Sequence, residues 1–303
     1  MLCSRLDCSH ASQDCDAYCG EATCIGLFQD HLYFITTLFQ NGIYSQGVFQ
    51  TEKDGSQHRV FMDLGDFSGG AWEEHGFRNG YYFYIMEDVV LPEENPDTTS
   101  FEMVRSLYMV DLRKTADPPF LMETWNSKET AITLIQVVEN TLYYITGFLD
   151  GEKTLWCYNL DTHEKQRILD YNEVYNFFVQ DNRIYLLSRE QGIMVYDTQS
   201  QTKETVFSFG NDADRGFIQS DGQYFYVFQK SIREEESGKE ALIIDCDGNI
   251  VNRLRLPEPM KICFVTEDYL FLRSAKSYDF PKYAIQKQDI ASPDVQLIPV
   301  KHP

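Results

Sequence analysis

No apolar run in the 303 residues approaches the roughly 18 needed to cross a bilayer, which argues against direct membrane insertion. The opening stretch, MLCSRLDCSHASQDC, lacks the apolar segment of a signal peptide. Basic residues are scarce: 26 Lys and Arg stand against 47 Asp and Glu, giving a formal charge of −21. A surface of that sign repels phosphate backbones and anionic head groups, so nucleic acid is excluded as a partner. The charge is spread along the chain and serves solubility. Sustained helical periodicity is absent. There is also no G-x-S-x-G elbow, no H-E-x-x-H pair and no Gly-rich phosphate loop. The six His residues (10, 31, 58, 75, 163 and 302) are scattered, and Glu73-Glu74-His75 has no evident second partner for acid–base work.

Aromatic residues, by contrast, are plentiful: 19 Tyr and 21 Phe favour sheet over helix. The stretch 140–165 reads as one β-hairpin. Leu142-Tyr143-Tyr144-Ile145 is followed by a turn at Asp150-Gly151, then by Leu155 to Leu160. The same pattern returns at Leu32-Tyr33-Phe34-Ile35, Tyr81-Tyr82-Phe83-Tyr84, Ile184-Tyr185-Leu186-Leu187, Tyr224-Phe225-Tyr226-Val227 and Leu270-Phe271-Leu272. Turn signals precede each run, among them Asn79-Gly80, Asp181-Asn182 and Asp221-Gly222. Aligning Tyr33, Tyr82, Tyr143, Tyr185, Phe225 and Phe271 gives intervals of 49, 61, 42, 40 and 46 residues. Four short strands repeated at such a period predict an all-β fold, a β-propeller of four-stranded antiparallel blades.

Six repeats are countable, over 25–66, 70–125, 131–171, 173–210, 214–257 and 259–300, the last ending in a strand from Val295 to Val300. Residues 1–24 form a separate Cys-rich segment packed on the ring of 25–303, as a cap or as part of a seventh blade. The chain is expected to be a monomer.

In such a blade the loop between strands two and three shares a face with the link to the next blade. The longest insertions fall there, from Met86 to Arg105 and from Lys230 to Lys239, so that face is the expected ligand face. The links themselves carry Trp72 and His75, Trp125, Tyr171 and Tyr175, and Asp214 with Arg215. Flat rings beside charged groups suit a sugar or a peptide, and the same rings would also serve as blade-to-blade packing. Asp245-Cys246-Asp247-Gly248-Asn249 and Asn211-Asp212-Ala213-Asp214 gather oxygen ligands for calcium, but Asp-Gly is also the expected hairpin turn.

Of the 8 cysteines, Cys157, Cys246 and Cys263 sit in strand patterns and read as small core residues. The others crowd the N-terminus. Cys3, Cys8, His10 and Cys15 supply four soft ligands that a Zn²⁺ ion could take in tetrahedral geometry. The same cysteines would pair as disulfides in an oxidising compartment, and Cys19 and Cys24 could pair with each other.

The run Leu2-Cys3-Ser4-Arg5-Leu6-Asp7-Cys8-Ser9-His10, with Asp14-Cys15-Asp16-Ala17-Tyr18 after it, resembles a segment of cell-surface propeller lipoproteins of gut Gram-positive anaerobes, a TolB-like family of unknown function. In that family the segment reads L-C-x-K-P-x-C-x-H, then C-x-A-Y, ahead of Tyr-rich repeats. The resemblance implies a propeller at the cell envelope or outside the cell, with no established activity. The chain departs from the pattern at Arg5-Leu6, at the extra Cys19 and Cys24, and in lacking the export signal with its lipidated Cys. It begins where the family is already under way, which suggests truncation and leaves the cytoplasm open as a location. The functional expectation is a non-enzymatic binding or scaffold propeller for a peptide, protein or glycan. The alternatives are a carbohydrate-active hydrolase or lyase with carboxylates at the central channel, and a structural module whose ligand is N-terminal metal.

Overall fold

The runs Tyr81 to Ile85, Ile184 to Leu187 and Phe225 to Phe228 are buried on both faces, so apolar residues follow one another where a one-sided strand would alternate, as Leu270-Phe271-Leu272 does. The computed structural model describes residues 24–40, 43–53, 56–66, 75–90, 102–114, 117–126, 131–147, 152–170, 174–188, 191–208, 217–228, 239–266, 268–275 and 281–300. Blade 1 consists of β1 (Cys24–Phe28), β2 (His31–Gln40), β3 (Ile43–Glu52) and β4 (Arg59–Asp66). Blade 2 consists of β5 (His75–Arg78), β6 (Tyr81–Val90), β7 (Glu102–Asp111) and β8 (Phe120–Asn126). Blade 3 follows with β9 (Ala131–Val138), β10 (Thr141–Gly147), β11 (Lys153–Asn159) and β12 (Lys165–Asp170).

Blade 4 is built from β13 (Val174–Gln180), β14 (Arg183–Ser188), β15 (Gly192–Asp197) and β16 (Thr202–Phe207). Blade 5 holds β17 (Phe217–Ser220), β18 (Tyr224–Phe228), β19 (Glu240–Asp245) and β20 (Ile250–Arg255). Blade 6 holds β21 (Met260–Val265), β22 (Tyr269–Ser274), β23 (Tyr283–Gln286) and β24 (Ile298–Pro299). Each sheet is ordered as its strands follow in the chain, and the fold is a six-bladed β-propeller.

The Tyr-bearing runs are the second strands, as the repeat predicts. The turns that open them follow hairpin chemistry: Gln29 and Asp30 both have positive φ, and so do Asn79 and Gly80, the pattern of a type I′ turn.

Two expectations are corrected. The insertion expected from Met86 to Arg105 is shortened at both ends by strand, because β6 and β7 pair without interruption from Tyr81↔Asp111 out to Val90↔Glu102. Val89 and Met103 keep the strand pattern beyond the polar residues, and Glu87 and Arg105 meet across the ladder through an Arg105 Nε to Glu87 Oε2 bond of 2.7 Å. What is left of the insertion, 91–101, lies outside the described residues. In blade 6 the last strand covers only Ile298–Pro299, not Val295 to Val300. A short 3-10 turn, Lys287–Asp289, follows β23 where blades 4 and 5 make short turns closed by Asp197 and Asp245. Residues 1–23 are outside the described set, and with them the question of a cap or partial seventh blade.

The chain divides into two compact units, Met1–Leu169 and Asp170–Pro303. In the first, β6 shares its residues between two cores. Tyr82 and Tyr84 pack with Tyr33, Ile35, Val48 and Phe77 of blades 1 and 2. Tyr81, Phe83 and Ile85 pack with Leu142, Tyr144 and Tyr158 of blade 3. In the second unit β18 does the same: Phe225 and Val227 join Tyr185 and Ile193 of blade 4, while Tyr226 and Phe228 join Met260, Leu270 and Ile285 of blade 6. Each fully buried ring contributes about 1.5–3 kcal/mol, so neighbouring blades supply much of one another's stability.

Candidate ligand-binding site

The second unit contains a cavity of about 370 Å³ where blade 5 meets blade 6, at the end of the sheets where β17 turns into β18. This is the end opposite the segment 229–238, which joins β18 to β19 and lies outside the described residues.

Blade 5 forms its wall through one carboxylate. Asp221 Oδ1 accepts the backbone N–H of Gln223 at 2.9 Å and of Tyr224 at 2.7 Å, an Asx-type clip that closes the turn. Gly222 supplies the positive φ of 90° that this turn requires. Asp221 Oδ2 accepts the Tyr226 hydroxyl at 2.8 Å and faces Lys287 Nζ at 3.5 Å. The Asp221 side chain is fully enclosed and that of Lys287 is only 16% exposed, so the pair ties the two blades together in a partly dry setting. Burial, and then the neighbouring Asp221 carboxylate, push the Tyr226 phenol above its ordinary range, so it stays a donor.

Blade 6 closes the other side. Thr266 Oγ1 accepts the Tyr269 N–H at 3.0 Å, and the Asp268 carbonyl accepts the Lys287 N–H at 2.8 Å. Gln288 Nε2 donates to Gln286 Oε1 at 3.3 Å, and Gln286 Nε2 donates to the Tyr269 hydroxyl at 3.2 Å. The cavity is thus lined by two half-buried tyrosines (Tyr224 and Tyr269), the glutamine amides, exposed Asp268 and the already paired Lys287. Such a lining can stack on a flat ligand and exchange hydrogen bonds with it.

In the first unit a second polar cluster is closed. The Tyr144 hydroxyl donates to Glu123 Oε2 at 2.5 Å, and Lys165 pairs with the same carboxylate while lying 3.9 Å from the Trp156 ring centroid. Trp156 Nε1 donates to Thr146 Oγ1 at 2.8 Å. These groups satisfy one another and hold blade 2 to blade 3. Trp125, expected at a ligand face, lies in β8 and packs partly buried against this same core. His75 opens β5, and Tyr175 lies in β13 at the register shift between Val174 and Asn176. Trp72, Tyr171, Asp214 and Arg215 lie outside the described residues, as do Cys3, Cys8, His10, Cys15 and Cys19. Cys24 begins β1 with a half-buried free thiol, raised in pKa chiefly by burial.

Among the described residues no group of three or more His, Cys, Asp or Glu gathers as a metal site. Asp245 spends its Oδ1 on the N–H groups of Asp247 at 3.0 Å and Asn249 at 2.8 Å, as a hairpin turn and not a calcium loop. The cavity residues were missed from sequence because Tyr224 and the Asp268-Tyr269 pair read as ordinary turn-then-strand openings. Only the polar run Gln286-Lys287-Gln288, out of keeping with a tight acidic turn, was a signal.

No protein-family model and no curated protein matches the sequence. Solved structures do. The β-propeller domain of the Trilobed protease from Pyrococcus furiosus aligns with a TM-score of 0.54 at 12% identity, over 93% of this chain and 85% of that one. A puromycin hydrolase variant aligns at 0.55 and 8% identity, over 95% of this chain and 55% of that one. TolB from Acinetobacter baumannii aligns at 0.46 and 11% identity, over 86% of this chain and 62% of that one. The chain therefore spans less than two thirds of the latter two. At such identities the likeness is one of fold.

Proposed function

We propose that this chain is a non-enzymatic binding propeller. The observation that carries the reading is the cavity between blades 5 and 6, whose tyrosine rings and glutamine amides are groups that hold a ligand without reacting with it. Its charged pair, Asp221 and Lys287, is spent on joining the blades. The segments 91–101 and 229–238, within the insertions expected to carry a peptide, protein or glycan partner, lie outside the described residues. Association with the cell envelope is part of this reading, supported by the resemblance of Cys3, Cys8, His10 and Cys15 and their neighbours to surface lipoproteins.

A glycan and peptide array probed with the purified chain tests the reading. The expected outcome is retention of a defined set of probes, lost in Tyr224→Ala. Probes recovered in cleaved form would replace it with the carbohydrate-active hydrolase or lyase, and an array with no retention would remove it.

A further inference from the structure

We propose that the cavity between blades 5 and 6 takes a neutral saccharide of one or two rings; this rests on the binding reading above and narrows it. Size comes first. At about 370 Å³ the cavity falls at the small end of ligand pockets, which suits one or two pyranose rings. The chemistry of the lining agrees. Tyr224 and Tyr269 are half-buried aromatics, and a sugar presents flat C–H faces that stack on such rings. The glutamines bring amides that both donate and accept, matching hydroxyl groups that also do both. Gln286 and Gln288 are linked to the Tyr269 hydroxyl in one chain of bonds, so the amide orientations are set before a ligand arrives.

Electrostatics then excludes the acidic sugars. The cation at the cavity, Lys287, already faces enclosed Asp221 at 3.5 Å, which leaves Asp268 as the uncommitted charge. An incoming carboxylate or phosphate would meet that carboxylate and the field of a chain with net charge −21. Backbone accounting excludes strand addition by a peptide. The lining residues lie at turns and strand ends whose N–H groups are already used: Tyr224 N to Asp221, Tyr269 N to Thr266 and Lys287 N to Asp268. Recognition is left to side chains.

The test is calorimetric titration of the whole chain with cellobiose, maltose, lactose and N,N′-diacetylchitobiose, with digalacturonate and a mixed-sequence peptide pool alongside. At least one neutral disaccharide is expected to bind with a dissociation constant of about 1 mM or tighter, with little dependence on salt. Tyr269→Ala should weaken it about tenfold, Gln288→Ala by about three- to tenfold, and Tyr269→Phe should keep most of the affinity because the ring remains. Gln288 is exposed, so its variant keeps the test valid if Tyr269→Ala unfolds, which melting curves would show. Binding of digalacturonate or peptides alone, with the same residue dependence, overturns the saccharide assignment and leaves the binding reading standing. Disaccharide binding indifferent to Tyr269→Ala and Gln288→Ala overturns this site. No binding by any probe overturns both.

Discussion

At the scale of the residue, tyrosine is the side chain on which this protein depends most. Tyr82, Tyr84, Tyr144 and Tyr226 are each almost wholly buried, and burial, as the largest cause, raises the pKa of all four. For Tyr144 and Tyr226 the carboxylates that accept their hydroxyls, Glu123 and Asp221, add to the rise. In the unfolded chain a phenol loses its proton near pH 10, whereas these four keep theirs in the folded chain. Their contribution is therefore intact below about pH 10 and fades as pH climbs beyond it, each withdrawing about 1.4 kcal/mol per pH unit. Alkaline titration followed by phenolate absorbance and circular dichroism should show two classes. Accessible tyrosines ionise reversibly with the sheet signal intact, and the buried ones ionise only as that signal collapses. A full phenolate signal from a folded chain would contradict this assignment.

At the scale of the element, the contact between β1 and β5 depends on the absence of a side chain. Gly26 pairs with Tyr33 in the β1–β2 ladder, and a Cβ placed on it would lie 2.2 Å from Phe77 Cβ. Gly26→Ala should therefore cost about 2 kcal/mol, read as a lower denaturant midpoint, because Phe77 sits in the core of blades 1 and 2 and has nowhere to move. Gly76→Ala is the control. Its Cβ would meet only the flexible tip of Arg78, at 3.3 Å, and should cost much less.

The elements themselves were largely readable in advance. The turns at Gln29-Asp30, Asn79-Gly80 and Asp221-Gly222 and the aromatic runs after them are local signals, and each predicted repeat became a blade. The errors lay where a strand outlasts its apolar pattern, as at Glu87 and Arg105, which pair across β6 and β7 as strand residues. They also lay at the end of blade 6, where the last strand covers Ile298–Pro299 rather than Val295 to Val300.

At the scale of the whole molecule, charge is the dominant global property. A net charge of −21 opposes compaction, and raising salt from about 0.01 M to about 0.1 M shortens the screening length from about 30 Å to about 10 Å. The melting temperature should rise over that range and then level off. A fall would mean that attractive pairs such as Lys165–Glu123 and Arg105–Glu87 outweigh the repulsion.

The sequence alone determined the sheet class, the sixfold repeat and the sign of the surface, because periodicity, turn chemistry and net charge are properties of neighbouring residues or of simple sums. Only the tertiary structure decided which side chains share a cavity. Tyr269 and Gln286 meet as ladder partners within blade 6, Tyr224 reaches them by the packing of blade 6 on blade 5, and a partner carried by the next sheet leaves no mark on the local pattern of either strand.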